Sequence, residues 1–217
     1  MHTAPGYKAG RNADIMKSSA LLDREARRAR LGLATASVRQ PIIIPISAPQ
    51  LFVTSPELAQ RVVDRAELPV AGDLLEPSAG TGNLLRAARL QASDLRFCAV
   101  EINPQLAQLL RQAELAGRIE CGDFLDYTPD DLGHFDRIVM NPPFANAADI
   151  RHIRHAVSFL RPGGLLVAIC AAGPRQNAQL RPLITAAGGT WEPLPDDAFI
   201  AAGTRVRTVL LTWPAPA

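Results

Sequence analysis

Residues 73–85 read DLLEPSAGTGNLL, and this stretch decides the fold. It opens with a short apolar run typical of a buried strand, and the run ends at Glu76. Gly80 and Gly82 then allow a tight turn into residues with the apolar spacing of a helix. In open α/β sheets such a helix directs its first amides toward the ligand side of the sheet. The stretch therefore predicts a ligand site at the carboxyl end of the first strand.

The alternation of strand and helix continues along the chain. The predicted strands cover residues 73–77, 97–102, 118–123, 137–141, 164–171, 189–194 and 206–213. The predicted helices cover residues 55–68, 83–91, 104–115, 148–160 and 175–188. Because strands that are joined by helices pair in parallel, this order predicts an α/β fold with a Rossmann-like, doubly wound, mostly parallel sheet. No long helix separates the last two strands, so we expect an antiparallel closing strand.

Composition and charge divide the chain into two parts. The 217 residues, 47% hydrophobic and 20% charged, are typical of one globular domain with an accessory segment. Residues 1–50 carry a net charge of +5, whereas residues 51–217 carry −3. We predict a basic helical arm with a linker over 1–50 and one folded domain over 51–217. The arm suits an anionic partner, and a solvated amphipathic helix explains its charge equally well.

Membrane, secreted and metal-binding classes find no support in the sequence. No apolar run approaches the roughly 20 residues of a membrane span, and the first residues lack the apolar core of a signal peptide. The three cysteines form no CxxC pair. His152 and His155 have no acidic or cysteine partner at ligand spacing, so we interpret them as exposed helix residues. We therefore expect a cytoplasmic protein without a metal.

Acidic residues stand near the ends of three successive strands. Glu76 precedes the glycine loop and favours a ligand with an ammonium group. At Glu101 a carboxylate can accept hydrogen bonds from both hydroxyls of a ribose. Asp123 and the neighbouring Phe124 can hold an adenine by a hydrogen bond and apolar contact. Leu85 stands where a dinucleotide-binding loop has its third glycine, which argues against NAD.

The fourth predicted strand ends in Asn141-Pro142-Pro143-Phe144. Neither proline nitrogen can donate to a sheet ladder, so the pair stops the strand. The carbonyl groups of Asn141 and Pro142 are then left without ladder partners at the edge where open α/β sheets bind ligands. For these four residues alone, a simple strand stop with a polyproline turn is an equally good explanation.

Together these motifs resemble the class I S-adenosylmethionine-dependent methyltransferases over roughly residues 50–213. EPSAGTGN is similar to the first motif of that family, and NPPF is similar to its amino-methyltransferase motif. The segment LFVTSPELAQRVVDRA resembles the opening of adenine-N6 DNA methyltransferases, including small ones of phages and plasmids, and implies that Thr54 lies near the methionine end of the cofactor. The implied S-adenosylmethionine-binding residues are Thr54, Glu76, Pro77, Ser78, Ala79, Gly80, Gly82, Asn83, Glu101, Ile102, Asp123 and Phe124.

The resemblance also implies a chemical role for the NPPF residues. The side-chain oxygen of Asn141 and the carbonyl of Pro142 would accept the two hydrogens of an exocyclic amine and localise its lone pair toward the methyl group. Pro142 and Pro143 would fix these acceptors in advance. Phe144 would stack on a base flipped out of the nucleic acid. These four residues are the expected catalytic residues.

The expected substrate is the N6 amine of adenine in DNA, and several alternatives stay open. NPPF-type motifs also serve guanine N2 or adenine N6 in RNA and the side-chain N5 of glutamine in proteins. A nucleic-acid-binding protein that retains the fold without catalysing is an alternative of another class. An NAD-dependent dehydrogenase is a third.

Overall fold

A computed structural model describes residues 52–196, 198–199 and 206–216, and the basic arm predicted over 1–50 lies outside them. The strands are β1 (Asp73–Glu76), β2 (Arg96–Glu101), β3 (Arg118–Cys121), β4 (Phe135–Met140), β5 (Leu160–Ala171), β6 (Thr190–Pro193) and β7 (Thr208–Pro214). Within the described residues they form one sheet in the order β3-β2-β1-β4-β5-β7-β6. Strands β1 to β5 pair in parallel, and β7 is antiparallel to both of its neighbours. The predicted doubly wound sheet with an antiparallel closing strand is confirmed.

Seven α-helices precede or connect the strands in the described residues, and two of the longer ones begin at a side-chain cap. The helices are α1 (Pro56–Arg65), α2 (Asn83–Gln91), α3 (Pro104–Gln112), α4 (Pro129–Leu132), α5 (Ala148–Val157), α6 (Pro174–Gln179) and α7 (Arg181–Ala186). At the start of α1 the hydroxyl of Ser55 accepts a hydrogen bond from the Leu58 amide. At the start of α3 the side chain of Asn103 accepts from the amides of the second and third helical residues. Both helices have proline at the first position, where no amide hydrogen is needed.

The two largest differences between predicted and observed elements each have a local reason. The helix predicted over 175–188 is the pair α6 and α7, because Pro182 has no amide hydrogen to donate to the Ala178 carbonyl and so interrupts the helical hydrogen bonds. Strand β5 begins four residues earlier than predicted. Its pairing with β4 shifts in register after Phe135, and the extra residues, which include Gly163 at φ +71°, are absorbed there.

Both faces of the sheet are covered by apolar residues. Leu74 and Leu75, consecutive in β1, belong to two separate core clusters, as expected for a strand whose side chains alternate between faces. Helices α1 and α2 contribute to the first cluster, and α5 contributes to the second. Burial on both faces explains why the strands read as nearly continuous apolar runs. Among the described residues, no helix combines the length and the apolar character needed to cross a membrane.

Candidate active site

The glycine loop after β1 depends on two left-handed residues. Gly80 has φ +53° and Gly82 has φ +80°, a region that side chains rarely adopt. A Cβ on Gly82 would also lie 2.5 Å from Leu115 Cδ1 and 2.6 Å from Leu110 Cδ2. The loop therefore packs closely against the segment around the end of α3, and a larger residue at position 82 would strain the backbone and displace both leucine side chains.

Glu101, at the end of β2, ties this loop to the neighbouring strand. Its Oε2 accepts a hydrogen bond from the Gly80 amide at 2.6 Å, and its Oε1 accepts from the Asn103 amide at 2.8 Å. The side chain is buried. Because each carboxylate oxygen has two acceptor sites, both oxygens keep capacity for a ribose hydroxyl. The residue can serve the loop and a ligand together.

Glu76, at the end of β1, is a buried carboxyl group with few partners. Only 2% of the residue is exposed, and its Oε2 accepts a hydrogen bond from the Leu85 amide at 3.2 Å. Burial raises the pKa of Glu76 well above its usual value; the hydrogen bond from Leu85 opposes this shift, and the charge of Glu101 adds to it. A positively charged ligand group would reverse part of that effect. This agrees with the ammonium partner that the sequence suggests.

A cavity of about 220 Å³ opens at the carboxyl ends of β1, β2 and β3. The predicted residues that line it are Pro77, Ser78, Glu101, Ile102, Asp123, Phe124 and Pro143. The predicted residues that do not line it are Thr54, Glu76, Ala79, Gly80, Gly82, Asn83, Asn141, Pro142 and Phe144. Ligand pockets commonly measure roughly 300–1,000 Å³, so this cavity suits one part of a cofactor.

The chemistry of the cavity fits the adenosine part of S-adenosylmethionine. The carboxyl groups of Glu101 and Asp123 supply hydrogen-bond acceptors for hydroxyl and amine groups. Phe124 and Pro143 supply apolar walls, and Ile102 is 66% exposed although it is a large apolar residue. Covering this apolar surface with a flat ring is favourable, because it removes apolar area from water.

The side chain of Asn141, after β4, is held in one orientation. Its Nδ2 donates to the Phe52 carbonyl at 3.0 Å and to the Thr54 hydroxyl at 3.0 Å. Its Oδ1 is buried and has no hydrogen-bond partner in the described part of the chain. Buried acceptors are nearly always paired in folded proteins, so an unpaired one in a candidate site marks a position for a donor from a ligand.

Thr54 contacts the NPPF loop instead of the cavity. Its hydroxyl accepts from Asn141, and its carbonyl accepts from the Asn83 side chain at 2.7 Å. The segment Phe52–Thr54 thereby joins the glycine loop to Asn141. The structure assigns Thr54 a structural contact that the sequence alone did not suggest.

Phe144 is buried in an aromatic group of three rings. Its ring stacks on that of Phe52, with 5.2 Å between centroids and 17° between planes. Phe199 meets the Phe144 ring edge-on at 5.9 Å. A face of Phe144 is therefore covered by an aromatic ring from the same chain.

His152 is a cavity residue that the sequence analysis placed wrongly. We expected it to be exposed, and it is 8% exposed and lines the cavity together with Ala148 and Arg151. These residues follow helical spacing, so one face of α5 forms a wall of the cavity. His155 is half-buried, and its Nε2 lies 2.9 Å from the Tyr127 carbonyl oxygen. The four-residue step from Ala148 to His152, directly after NPPF, is the sequence signal that could have revealed this.

Comparison with known proteins agrees with the fold and the motifs. The family described as "Methyltransferase small domain" matches residues 58–186. The type II methyltransferase M.TthHB8I of Thermus thermophilus is 39% identical over 92 residues, which are 42% of this chain and 20% of that protein. The dimethyladenosine transferase of Candida glabrata is 32% identical over 101 residues, or 44% of this chain and 30% of that protein. The similarity thus spans less than a third of the length of either curated relative.

Solved structures show the same architecture. The crystal structure of the 23S rRNA methyltransferase ErmE has a TM-score of 0.57 with this chain, with 19% sequence identity, and covers 76% of this chain and 70% of its own. At this identity the likeness concerns the fold. Because the family matches more than half of the sequence and the fold agrees with it, the chain belongs to the methyltransferase small domain family and has the fold of the class I S-adenosylmethionine-dependent methyltransferases.

Proposed function

We propose that this chain methylates the N6 amine of adenine in DNA. The observation that carries the proposal is the side chain of Asn141, whose Nδ2 is engaged twice while its buried Oδ1 has no partner in the described residues. The site thus presents an acceptor, fixed in orientation, to a group that donates hydrogens. An exocyclic amine is such a group.

The fixed acceptor makes the amine, which is a poor nucleophile, more reactive. S-adenosylmethionine supplies an electrophilic methyl group on a sulfonium. The amine lone pair is delocalised into the base, and hydrogen bonds to Asn141 Oδ1 and the Pro142 carbonyl localise it. As the nitrogen forms its new bond to the methyl carbon, the bond from that carbon to the sulfonium sulfur would break and S-adenosylhomocysteine would leave. The nitrogen becomes cationic, so its hydrogens become stronger donors and their hydrogen bonds strengthen in the transition state. The nitrogen then loses one proton to solvent, and the proposal needs no general base.

Base stacking on Phe144 requires a local rearrangement. The Phe52 ring lies against the Phe144 ring in this structure, with the Phe199 edge beside both. A base that uses this face of Phe144 has to displace the Phe52 ring. The Phe52 carbonyl that orients Asn141 belongs to the backbone, so the ring can rotate without breaking that hydrogen bond.

Support for adenine and for a nucleic acid comes from the relatives. The name of the Candida glabrata relative contains adenosine, and the Thermus thermophilus relative is a type II methyltransferase. The segment LFVTSPELAQRVVDRA, similar to the opening of adenine-N6 DNA methyltransferases, supports DNA. RNA adenine is the second candidate, because dimethyladenosine transferases, named after a ribonucleoside, are 30–32% identical to this chain over 101–117 residues.

Nucleoside mass spectrometry tests the substrate directly. The protein is incubated with methyl-labelled cofactor and unmethylated DNA, RNA or a protein mixture, and each product is digested and analysed. We expect labelled N6-methyladenine from DNA. Label in adenosine of RNA would favour the second candidate, and label in guanine or glutamine would contradict adenine. The Asn141→Ala variant, purified in the same way, reveals any label from contaminating enzymes.

A further inference from the structure

Among the described residues that line the cavity, His152 is the one with a buried nitrogen that has no hydrogen-bond partner. The residue is 8% exposed, and its Nδ1 is buried without a hydrogen-bond partner among the described residues. Leaving a polar atom buried and unpaired destabilises a folded protein. The cost is expected where the atom is reserved for a ligand.

The position of His152 points to the base of the cofactor. It lines the same cavity as Asp123 and Phe124, and its ring centroid lies 6.1 Å from that of Phe124. Glu101, the candidate partner of the ribose, lines the same cavity from the end of β2. We propose that His152 hydrogen-bonds a ring nitrogen of the cofactor adenine, beside the Asp123 carboxyl group that accepts from the exocyclic amine.

The protonation state of His152 suits this role. Burial lowers the pKa of His152; the charge of Asp123 opposes this shift, and the charges of Arg151 and His155 add to it. The imidazole is therefore neutral at neutral pH and has one N–H donor and one bare acceptor nitrogen. A neutral ring can approach an uncharged purine without burying a charge.

The helix that carries His152 is firmly held. The buried carboxylate of Asp149, in the first turn of α5, accepts from the Ala171 amide at 3.0 Å and from Gln176 Nε2 at 2.9 Å. These bonds join α5 to the end of β5 and to α6. The imidazole therefore reaches the cavity from a fixed backbone, which is a condition for recognising one edge of a purine.

Two variants and one matched control test the proposal. His152→Phe keeps a ring against Phe124 and removes both nitrogens, and His152→Gln keeps a polar group. His155→Phe is the control, since His155 is on the same helix, contacts Phe124 at 4.9 Å and has its own partner in the Tyr127 carbonyl. All are titrated by calorimetry with S-adenosylhomocysteine and with its 1-deaza, 3-deaza and 7-deaza analogues, in which a single ring nitrogen is replaced by carbon.

The expected pattern couples one residue to one ligand atom. One deaza analogue should bind the unmodified protein about three- to tenfold more weakly than S-adenosylhomocysteine, as for one lost hydrogen bond. His152→Phe should bind S-adenosylhomocysteine more weakly by a similar factor. It should bind that analogue no more weakly than the unmodified protein does. His152→Gln should be intermediate, and His155→Phe should keep the unmodified pattern.

Thermal melting without ligand adds a second readout. His152→Phe should melt at or above the temperature of the unmodified protein, because it removes an unpaired buried nitrogen. The proposal is overturned if His152→Phe binds S-adenosylhomocysteine as tightly as the unmodified protein does, or if every deaza analogue binds the unmodified protein as tightly as S-adenosylhomocysteine does. It is also overturned if, in both His152 variants, one deaza analogue still binds more weakly than S-adenosylhomocysteine by the factor seen in the unmodified protein.

Discussion

At the residue scale, the charged side chain of Glu76 should lower the stability of the free protein and strengthen the binding of the cofactor. Its folded-state pKa lies above the usual value because of burial, so the folded protein holds the proton more tightly than the unfolded chain. The free energy of unfolding therefore decreases as pH rises from about 4.5 through the raised pKa. The charged form of Glu76 thus opposes folding at neutral pH unless a cation lies beside it.

Glu76→Gln should remove this loss of stability at neutral pH. At neutral pH the variant without ligand should melt at a higher temperature than the unmodified protein, and the difference should shrink as pH falls toward about 4.5. It should also bind S-adenosylhomocysteine more weakly, because the ammonium group loses its carboxylate. Melting curves across pH and a calorimetric titration check both effects. A variant that is less stable at neutral pH, or that binds the ligand normally, would contradict this role.

Thr54 distinguishes two placements of one hydroxyl group. The sequence resemblance implies a place near the methionine end of the cofactor, and the structure adds a hydrogen bond from Asn141 Nδ2. Thr54→Val keeps the shape and removes the acceptor. We expect turnover to fall about three- to tenfold at saturating cofactor, as for one lost hydrogen bond, with no change in affinity for S-adenosylhomocysteine. The opposite result, weaker affinity with normal turnover, would return Thr54 to the cofactor.

At the element scale, the segment before α1 covers the candidate substrate site. Phe52→Ala should lower the free energy of unfolding by about 0.5–1.5 kcal/mol for the lost aromatic pair, and further through the lost apolar burial of the ring. It should also lower the apparent KM for nucleic acid, because the Phe144 face becomes free. Phe144→Ala should instead weaken binding by about 1–3 kcal/mol, the value of one stacked base. Steady-state kinetics of both variants on one DNA substrate make the comparison.

The two variants have to differ for this account to hold. If Phe52→Ala raises KM as much as Phe144→Ala does, the Phe52 ring is part of the surface that binds the base. If Phe144→Ala leaves both KM and turnover unchanged, the stacking role of Phe144 is wrong and a substrate other than a base is favoured.

At the scale of the whole molecule, the cofactor should stabilise the fold. S-adenosylhomocysteine at a hundredfold excess over its dissociation constant should add about 2.7 kcal/mol to the free energy of unfolding. Glu101→Gln should reduce this increment at equal ligand concentration, because it loses a ribose acceptor. It should also destabilise the free protein slightly, since Glu101 binds the Gly80 and Asn103 amides. An undiminished increment, measured by thermal melting, would remove Glu101 from the site.

The succession of strands along the chain and the residues at their ends could be predicted from the sequence. Each depends on local signals: the glycine loop before Asn83, the caps Ser55 and Asn103, and the proline pair after Asn141. Parallel pairing then brings the strand ends to one edge. For this reason the cavity contains seven of the predicted site residues.

Features that depend on long-range packing could not be predicted. The burial of His152 depends on how α5 rotates against the sheet, and Asp149 helps to fix that rotation through Ala171 and Gln176. The stacking of Phe52 on Phe144 joins residues far apart in sequence. The hydrogen bonds of Asp149 and the Phe52–Phe144 stack have no local signal in the chain. The four-residue step from Ala148 to His152 shows that the two residues share a face of α5, but not how that face turns toward the sheet.

The central claim is that the unpaired oxygen of Asn141 accepts a hydrogen from the amine that is methylated. The most direct measurement is transfer of a labelled methyl group to DNA under single-turnover conditions by Asn141→Ala, alongside calorimetric affinity for S-adenosylhomocysteine and for DNA. The account predicts a rate lower by on the order of a hundredfold, as for a lost transition-state hydrogen bond, with both affinities largely retained. Methyl transfer by Asn141→Ala at the unmodified rate would contradict the account and leave NPPF as a strand stop.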